Sequence, residues 1–427
     1  MKPLLDIIAQ HKAGAPVGIY SVCSAHPLVI EAALRRAHRD SGYALIEATS
    51  NQVNQDSGYT GMRPTDFVRF VRDIALRVGL APERVLLGGD HLGPNCWQQL
   101  SADEAMRRSE QLIADYVSAG FRKLHLDCSM PCQGDPAVLG DEVVAARAAR
   151  LCRVAEETWG RVGGEALVYV VGTEVPVPGG AHELPTDLQP TAPAASVATI
   201  DAHHRAFTAA GLSEVWLRVV GLVVQPGVEF DHYKVVDFRP ERVTELSAVI
   251  AASPSMVYEA HSTDYQTAAN LRALVRAHFA ILKVGPGLSF AMREALWALA
   301  QLENEWLPAA RRSGLRETVL GAMAADPRHW KKYYLTTGAQ LTLDQQYSLS
   351  DRLRYYWPVA TVAGALARLL ANLEESPPPL TLLSQYLPQQ YAAVRAGSLG
   401  LNARAGVLHH IDRVLQQYAT ACGTATD

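Results

Sequence analysis

The chain has 427 residues, 48% of them hydrophobic and 19% charged, and its 39 basic and 43 acidic side chains leave a formal charge of -4. That balance gives no electrostatic footprint for nucleic acid or an anionic membrane surface, and no apolar run approaches the roughly 18 residues a spanning helix needs. Six cysteines without regular spacing suit a reducing cytoplasm better than a disulfide framework, and Cys128 and Cys132, the one close pair, read as thiols rather than as a metal site.

The opening residues, MKPLLDIIAQHKAG, lack the apolar core of a secretion signal and read as a first helix. Eight short apolar segments then recur along the chain: GIYSVCS (18–24), ALIEATS (44–50), VLLGGDH (85–91), KLHLDCS (123–129), LVYVVGTE (167–174), WLRVVGLV (216–223), MVYEAHSTD (256–264) and AILKVGPG (280–287). Each is rich in Val, Ile, Leu or aromatics and bounded by turn residues, which is the signature of buried parallel strands alternating with helices. Residues 101–119 open on Ser101 with Glu104 three positions later, a capping box, and 141–159 and 289–306 carry helical periodicity too. The proline- and glycine-rich stretch 176–195 follows the fifth segment and reads as a long loop at the mouth of the site.

Eight such units predict an α/β fold, a (β/α)8 TIM barrel over residues 1–308. The periodicity stops there, and 309–427 reads as a mainly helical extension that covers the barrel or forms a subunit interface. Within it, 351–373 is a helix interrupted by Pro358, 403–419 is another, and the proline-rich stretch from Ser376 to Tyr391 is a connection. The cluster Trp330, Lys331, Lys332, Tyr333 and Tyr334 reads as the packed face of an amphipathic helix.

Chemistry in a barrel of this kind sits at the carboxyl ends of the strands, which is where Glu47, Asp90, His91, Asp127, Glu174 and His261 fall. Asp90 and His91 close the third segment after Gly88 and Gly89, pairing an imidazole suited to a divalent metal with a carboxylate suited to proton exchange. Glu259 and His261 are two apart on the seventh segment and share a face. His232, soon after the sixth, is the candidate that completes a three-histidine metal set with His91 and His261. Glu174 and Asp127 are candidate bases or further ligands, and His125 sits deeper as core filling. Glu47, Asn51, Gln52, Ser262 and Asp264 suit hydrogen bonding to a polyhydroxylated substrate; Lys283, placed where a Schiff-base lysine could sit, reads rather as the partner of an acid or as the binder of a substrate oxyanion. Lys123 opens the fourth segment, at the wrong end for chemistry. There is no G-x-x-x-x-G-K-[ST] loop and no G-x-G-x-x-G after a strand.

Residues 18–31, 46–62, 86–99, 172–180, 225–232, 257–266 and 347–358 together resemble the Z-subunit family of bacterial D-tagatose-1,6-bisphosphate aldolase, over nearly the whole chain. The resemblance implies kinship with class II aldolases, whose divalent metal is held at an Asp-His pair like Asp90-His91 and by a later histidine like His261. It implies zinc, or nickel, cobalt or manganese, a ketohexose or ketohexose phosphate as ligand, an aldolase partner chain whose activity and stability this one supports, and a cytoplasmic homo-oligomer. Two departures stand out: Gly172-Thr173-Glu174 replaces the aldolases' Gly-Thr-x-His, and His261-Ser262-Thr263 replaces their glycine-serine phosphate grip. Some relatives are metal-dependent ketohexose 4-epimerases, so a free-standing fructose/tagatose 4-epimerase is the alternative expectation.

Overall fold

The computed structural model describes residues 1–172 and 188–425. In chain order its strands are β1 (Ile19–Cys23), β2 (Ala44–Thr49), β3 (Val85–Leu92), β4 (Lys123–Leu126), β5 (Val168–Val171), β6 (Val219–Val223), β7 (Glu229–Phe230), β8 (Val235–Val236), β9 (Val257–Ala260) and β10 (Phe279–Val284). All but β7 and β8, a short antiparallel pair in the β6–β9 connection, are parallel and close into an eight-stranded barrel, with β10 returning to β1. Each barrel strand falls on one of the eight apolar segments, so the (β/α)8 expectation holds.

Around the strands run α2 (Pro27–Arg39), α3 (Pro64–Val78), α4 (Ala102–Ala119), α5 (Asp141–Val162), α6 (Pro193–Ala209), the single turn α7 (Ser213–Trp216), α8 (Thr244–Ala251), α9 (Ala268–Arg276) and α10 (Pro286–Trp306). Proline at the first turn of α2, α3, α6 and α10 presets the helical φ where no hydrogen bond is lost. Ser101 caps α4 by accepting the Glu104 N–H. The expected loop at 176–195 falls largely on residues outside those described, and its last three residues already belong to α6.

Helix α1 (Lys2–Lys12) shuts the amino end of the barrel. Its Leu4 and Ile8, with Met1 just before it, pack on Ile19, Leu45, Leu86, Val168, Val220, Val257 and Ile281, an apolar layer set apart from the larger core between strands and outer helices. The lumen is therefore dry at one end, and its polar groups collect at the other.

The C-terminal part is helical, as expected: α11 (Leu315–Ala325), α12 (Gly338–Tyr347), α13 (Ala360–Glu375), α14 (Leu380–Tyr386), α15 (Pro388–Arg395) and α16 (Ala403–Ala421). Two local expectations change. The Ser376–Tyr391 stretch is not mere connection, because Pro379 sits just before α14 as its N-cap residue and Pro388 is the first residue of α15, so neither breaks a helix. Residues 330–334 form turns, not a helix, and Tyr333 lies under the Arg352 guanidinium at 3.2 Å. The last helix packs against α2, α9, α10 and β1, and Arg36 of α2 holds Asp412 of α16 through two bonds of 2.8 and 2.6 Å. Residues 403–421 thus form part of the barrel's wall.

Candidate active site and metal centre

The carboxyl ends of β3, β4, β9 and β10 converge on one buried polar cluster. Adjacent residues of a regular strand face opposite ways, so Asp90 and His91 could not both enter the lumen from an unbroken β3. The strand's register slips between Gly89 and Leu92, and His91 takes a left-handed φ of 48°, which lets both side chains contribute. Gly88 is required beneath them: a Cβ there would lie 2.7 Å from Glu47 Cγ. Gly93 is required just beyond, where a Cβ would meet the Asp127 carbonyl oxygen at 1.8 Å.

Three histidines form a triangle, with ring centroids 5.2 Å apart for His91 and His125, 5.0 Å for His91 and His261, and 5.3 Å for His125 and His261. One nitrogen of each ring is anchored to an oxygen. His91 Nδ1 lies 2.7 Å from Asp127 Oδ2, His261 Nε2 lies 3.0 Å from Glu259 Oε1, and His125 Nε2 lies 2.9 Å from the Gly172 carbonyl. A carbonyl only accepts, so His125 Nε2 carries the proton there. The other nitrogens of His91 and His261 are buried with no hydrogen-bond partner. His125 Nδ1 faces Asp90 Oδ1 at 3.0 Å, lone pair against carboxylate unless a proton or a cation lies between them. Asp90, His125, Glu259 and His261 present ligand atoms within 4.8 Å of one another.

Under the histidines lies a charged layer. Lys123 Nζ bridges Glu47 Oε1 at 2.7 Å and Glu259 Oε2 at 2.6 Å. Lys283 Nζ reaches Glu47, lies 3.1 Å from Asp90 Oδ2 and 3.8 Å from Glu259 Oε1. Glu47, Asp90, Asp127 and Glu259 outnumber Lys123 and Lys283 by two, an excess met in part by a proton on His91 or by a cation in its place. Buried ring nitrogens of His91 and His261 without partners, anchored opposite nitrogens and an excess of carboxylates over lysines all fit a divalent cation, which would displace the proton that His91 otherwise carries.

The titration behaviour follows from burial and these neighbours. Burial resists ionisation of Asp90, but Lys283 and His91 outweigh it and hold the carboxyl well below its usual range. Asp127 is held down to about 2, again against burial, by the His91 hydrogen bond. Burial favours neutral His91, yet Asp90 and Asp127 push it up to about 9. Burial prevails at His261, lowered to about 4 despite Glu259, so this imidazole is neutral at pH 7 and competent as a ligand. Lys283 and Lys123 stay charged because their carboxylates overcome the burial cost.

Of the residues singled out by sequence, Asn51, Gln52, Asp90, His91, His261, Ser262, Asp264 and Lys283 line one cavity above this cluster. Glu47 is buried below it with both oxygens on lysines, so it braces the site rather than meeting a ligand. Asp127 lies behind His91 and orients that ring instead of offering a base. Glu174 lies outside the described residues. His232 is corrected: its ring nitrogens face Ser348 Oγ at 3.0 Å and the Tyr333 carbonyl at 3.2 Å, held by the C-terminal part and absent from the cluster. His125, read as core filling, takes its place. Lys123 is not at a wrong end, since barrel stagger sets it beside Gly88 in mid-lumen. Sequence reasoning also missed Cys23, Tyr59, Arg354 and Tyr355, all lining the cavity. The last two arrive from the C-terminal part, within the YSLSDRLRYYWP motif already noticed.

Residues 4–423 match the family model described as D-tagatose-1,6-bisphosphate aldolase subunit GatZ/KbaZ-like. A solved protein of Sinorhizobium meliloti 1021, described as a probable tagatose 6 phosphate kinase, is 50% identical with a TM-score of 0.88, covering 95% of this chain and 100% of its own. The YdjI aldolase from Escherichia coli K12 is 11% identical with a TM-score of 0.42, over 87% of this chain and 94% of its own. Fructose-bisphosphate aldolase from Campylobacter jejuni is 13% identical with a TM-score of 0.45, over 87% and 92%. Those two values are too low to bear on the site. Among the described residues no helix is long and apolar enough to cross a membrane.

Proposed function

Since the chain belongs to the D-tagatose-1,6-bisphosphate aldolase subunit GatZ/KbaZ-like family, we propose that it is a sugar-acting barrel with a divalent-metal ketose site of its own, performing aldol-type chemistry on a ketohexose or its phosphate. The observation that carries this reading is the triangle of His91, His125 and His261, each anchored through one nitrogen, with the other nitrogen of His91 and of His261 left without a partner and that of His125 facing Asp90. A bound divalent cation would polarise the ketose C2 carbonyl. The chain's own groups supply the rest.

Asp90, kept ionised by Lys283, accepts the proton of the C4 hydroxyl. As that oxygen becomes a carbonyl, the C3–C4 bond breaks and its electron pair passes toward C2. Lys283 offers a fixed positive charge to the oxygen that gains negative charge. Asn51 and Ser262 line the cavity where the remaining hydroxyls would lie. Re-addition after rotation of the aldehyde yields the C4 epimer, and release yields two trioses. One site serves both outcomes.

A second reading has its own support, because the family is described as an aldolase subunit: the chain then supports a separate aldolase in tagatose 6-phosphate breakdown. Metal analysis of the purified chain, followed by incubation with D-fructose, D-tagatose and their phosphates, separates the two. Epimer or triose formation that requires metal and is lost in His91→Ala and His261→Ala is the expected result. No bound metal and no turnover, with a gain in the activity of an added aldolase chain, overturns it in favour of the subunit role.

A further inference from the structure

The cavity has one wall whose chemistry the reaction above does not use. Helix α10 begins beside the site, and its 21 residues direct the positive end of their dipole toward the cavity. Helix starts of this kind, with free backbone N–H groups, receive phosphates. Here they are already taken. Gly285 N and Gly287 N both donate to Asp264 Oδ1, at 2.9 and 2.7 Å. Asp264 is 3% exposed and reaches this position from the loop after β9. The fit is close: a Cβ on Gly287 would meet Asp264 Oδ1 at 3.0 Å. Asp264, Gly285 and Pro286 all line the cavity.

We propose that Asp264 is a specificity-determining residue, a built-in carboxylate that fills the amide cradle of Gly285 and Gly287, so that this part of the site accepts an uncharged, hydroxyl-bearing end of a ketose and rejects a phosphate. The inference deepens the metal-ketose reading and rests on it for the identity of the substrate. A phosphate entering here finds both amides of the helix start taken and faces a like charge in a buried setting, where repulsion is weakly screened. A sugar hydroxyl meets the opposite situation, because Asp264 Oδ2 can accept its proton.

Arg354 shares the cavity and has no carboxylate oxygen within 4.0 Å among the described residues. Burial raises the Asp264 carboxyl to about 6, so it is still ionised at neutral pH, with the two amides and then the Arg354 field working against that rise. With Asp264 removed, the two amides, the helix dipole and this guanidinium would together make an anion site that the native chain lacks.

Calorimetric titration of the full chain with inorganic phosphate tests this, run as purified and after chelation so that phosphate on a metal is separated from phosphate on the cradle. The wild type should bind phosphate at least ten-fold more weakly than Asp264→Ala. Asp264→Asn keeps an oxygen acceptor on the two amides and should gain nothing. Asp264→Ser serves if the alanine variant folds poorly. In parallel, the wild type should favour free ketohexose over its monophosphates by ten-fold or more in binding. Wild-type phosphate binding as tight as in Asp264→Ala, an equal gain in Asp264→Asn, or a wild-type preference for the monophosphates overturns the proposal. Loss of all ketose turnover with the phosphate gain intact would instead remove the metal-ketose reading and leave the cradle standing.

Discussion

Replacing Lys283 with methionine keeps an unbranched side chain one atom shorter but deletes a charge that three carboxylates share. Its ammonium lies 3.1 Å from Asp90 and 3.8 Å from Glu259, and also contacts Glu47. At an effective dielectric constant of about 20, those two measured separations correspond to ~5 and ~4 kcal/mol of attraction. Much of this is offset by the cost of burying the ammonium, and removing one partner of a buried ion pair leaves a net loss of about 3–5 kcal/mol.

The loss depends on pH. In Lys283→Met the uncompensated carboxylates acquire folded-state pKa values above their unfolded ones, so stability drains away as pH rises through that window. Urea unfolding with chelator present, at pH 5 and pH 8, reads both effects. The gap from wild type should be largest at pH 8 and shrink toward pH 5. A difference below about 1 kcal/mol at pH 8, or one that grows on acidification, would refute the view that Lys283 holds this layer together.

Three further outcomes follow from the same contacts. Asp127→Ala frees His91 Nδ1 from its anchor, so metal affinity in a chelator competition should fall about 10- to 100-fold; unchanged affinity would place the metal elsewhere. Glu229 is buried, and this raises its carboxyl to about 7 although Phe230 N and Ser262 Oγ donate to it. The native chain then holds a proton that the unfolded chain has released, so stability falls as pH rises from about 4.5 to 7, by up to about 3 kcal/mol. Glu229→Gln should flatten that slope, measured by unfolding at several pH values; parallel wild-type and variant profiles would contradict it. Leu4→Ala opens the apolar layer that shuts the barrel's amino end and should cost about 3 kcal/mol by urea unfolding, whereas a near-neutral result would mean that α1 closes nothing.

The sequence by itself determined the barrel. Eight apolar segments, each too short for a buried helix and bounded by turn residues, have one economical arrangement, and the strands lie where those segments lie. It also determined which end would be polar, since acids and histidines accumulate where the segments finish, and this placed Asp90, His91, His261, Ser262, Asp264 and Lys283 around one cavity.

Only the tertiary structure decided how those groups are used. His125 and His232 look alike in sequence, one within a segment and one just after another; barrel closure brings the first to His91 and His261, while the C-terminal part captures the second. Lys123 seemed misplaced because a linear reading treats every strand as starting at the same height, whereas stagger between tilted strands sets it at mid-lumen. Asp264 could be seen as polar and near the site, but that its carboxylate is spent on two backbone amides depends on where α10 begins relative to β9. Periodicity is local and survives in one dimension; a pairing of side chains from distant strands exists only once the barrel is closed.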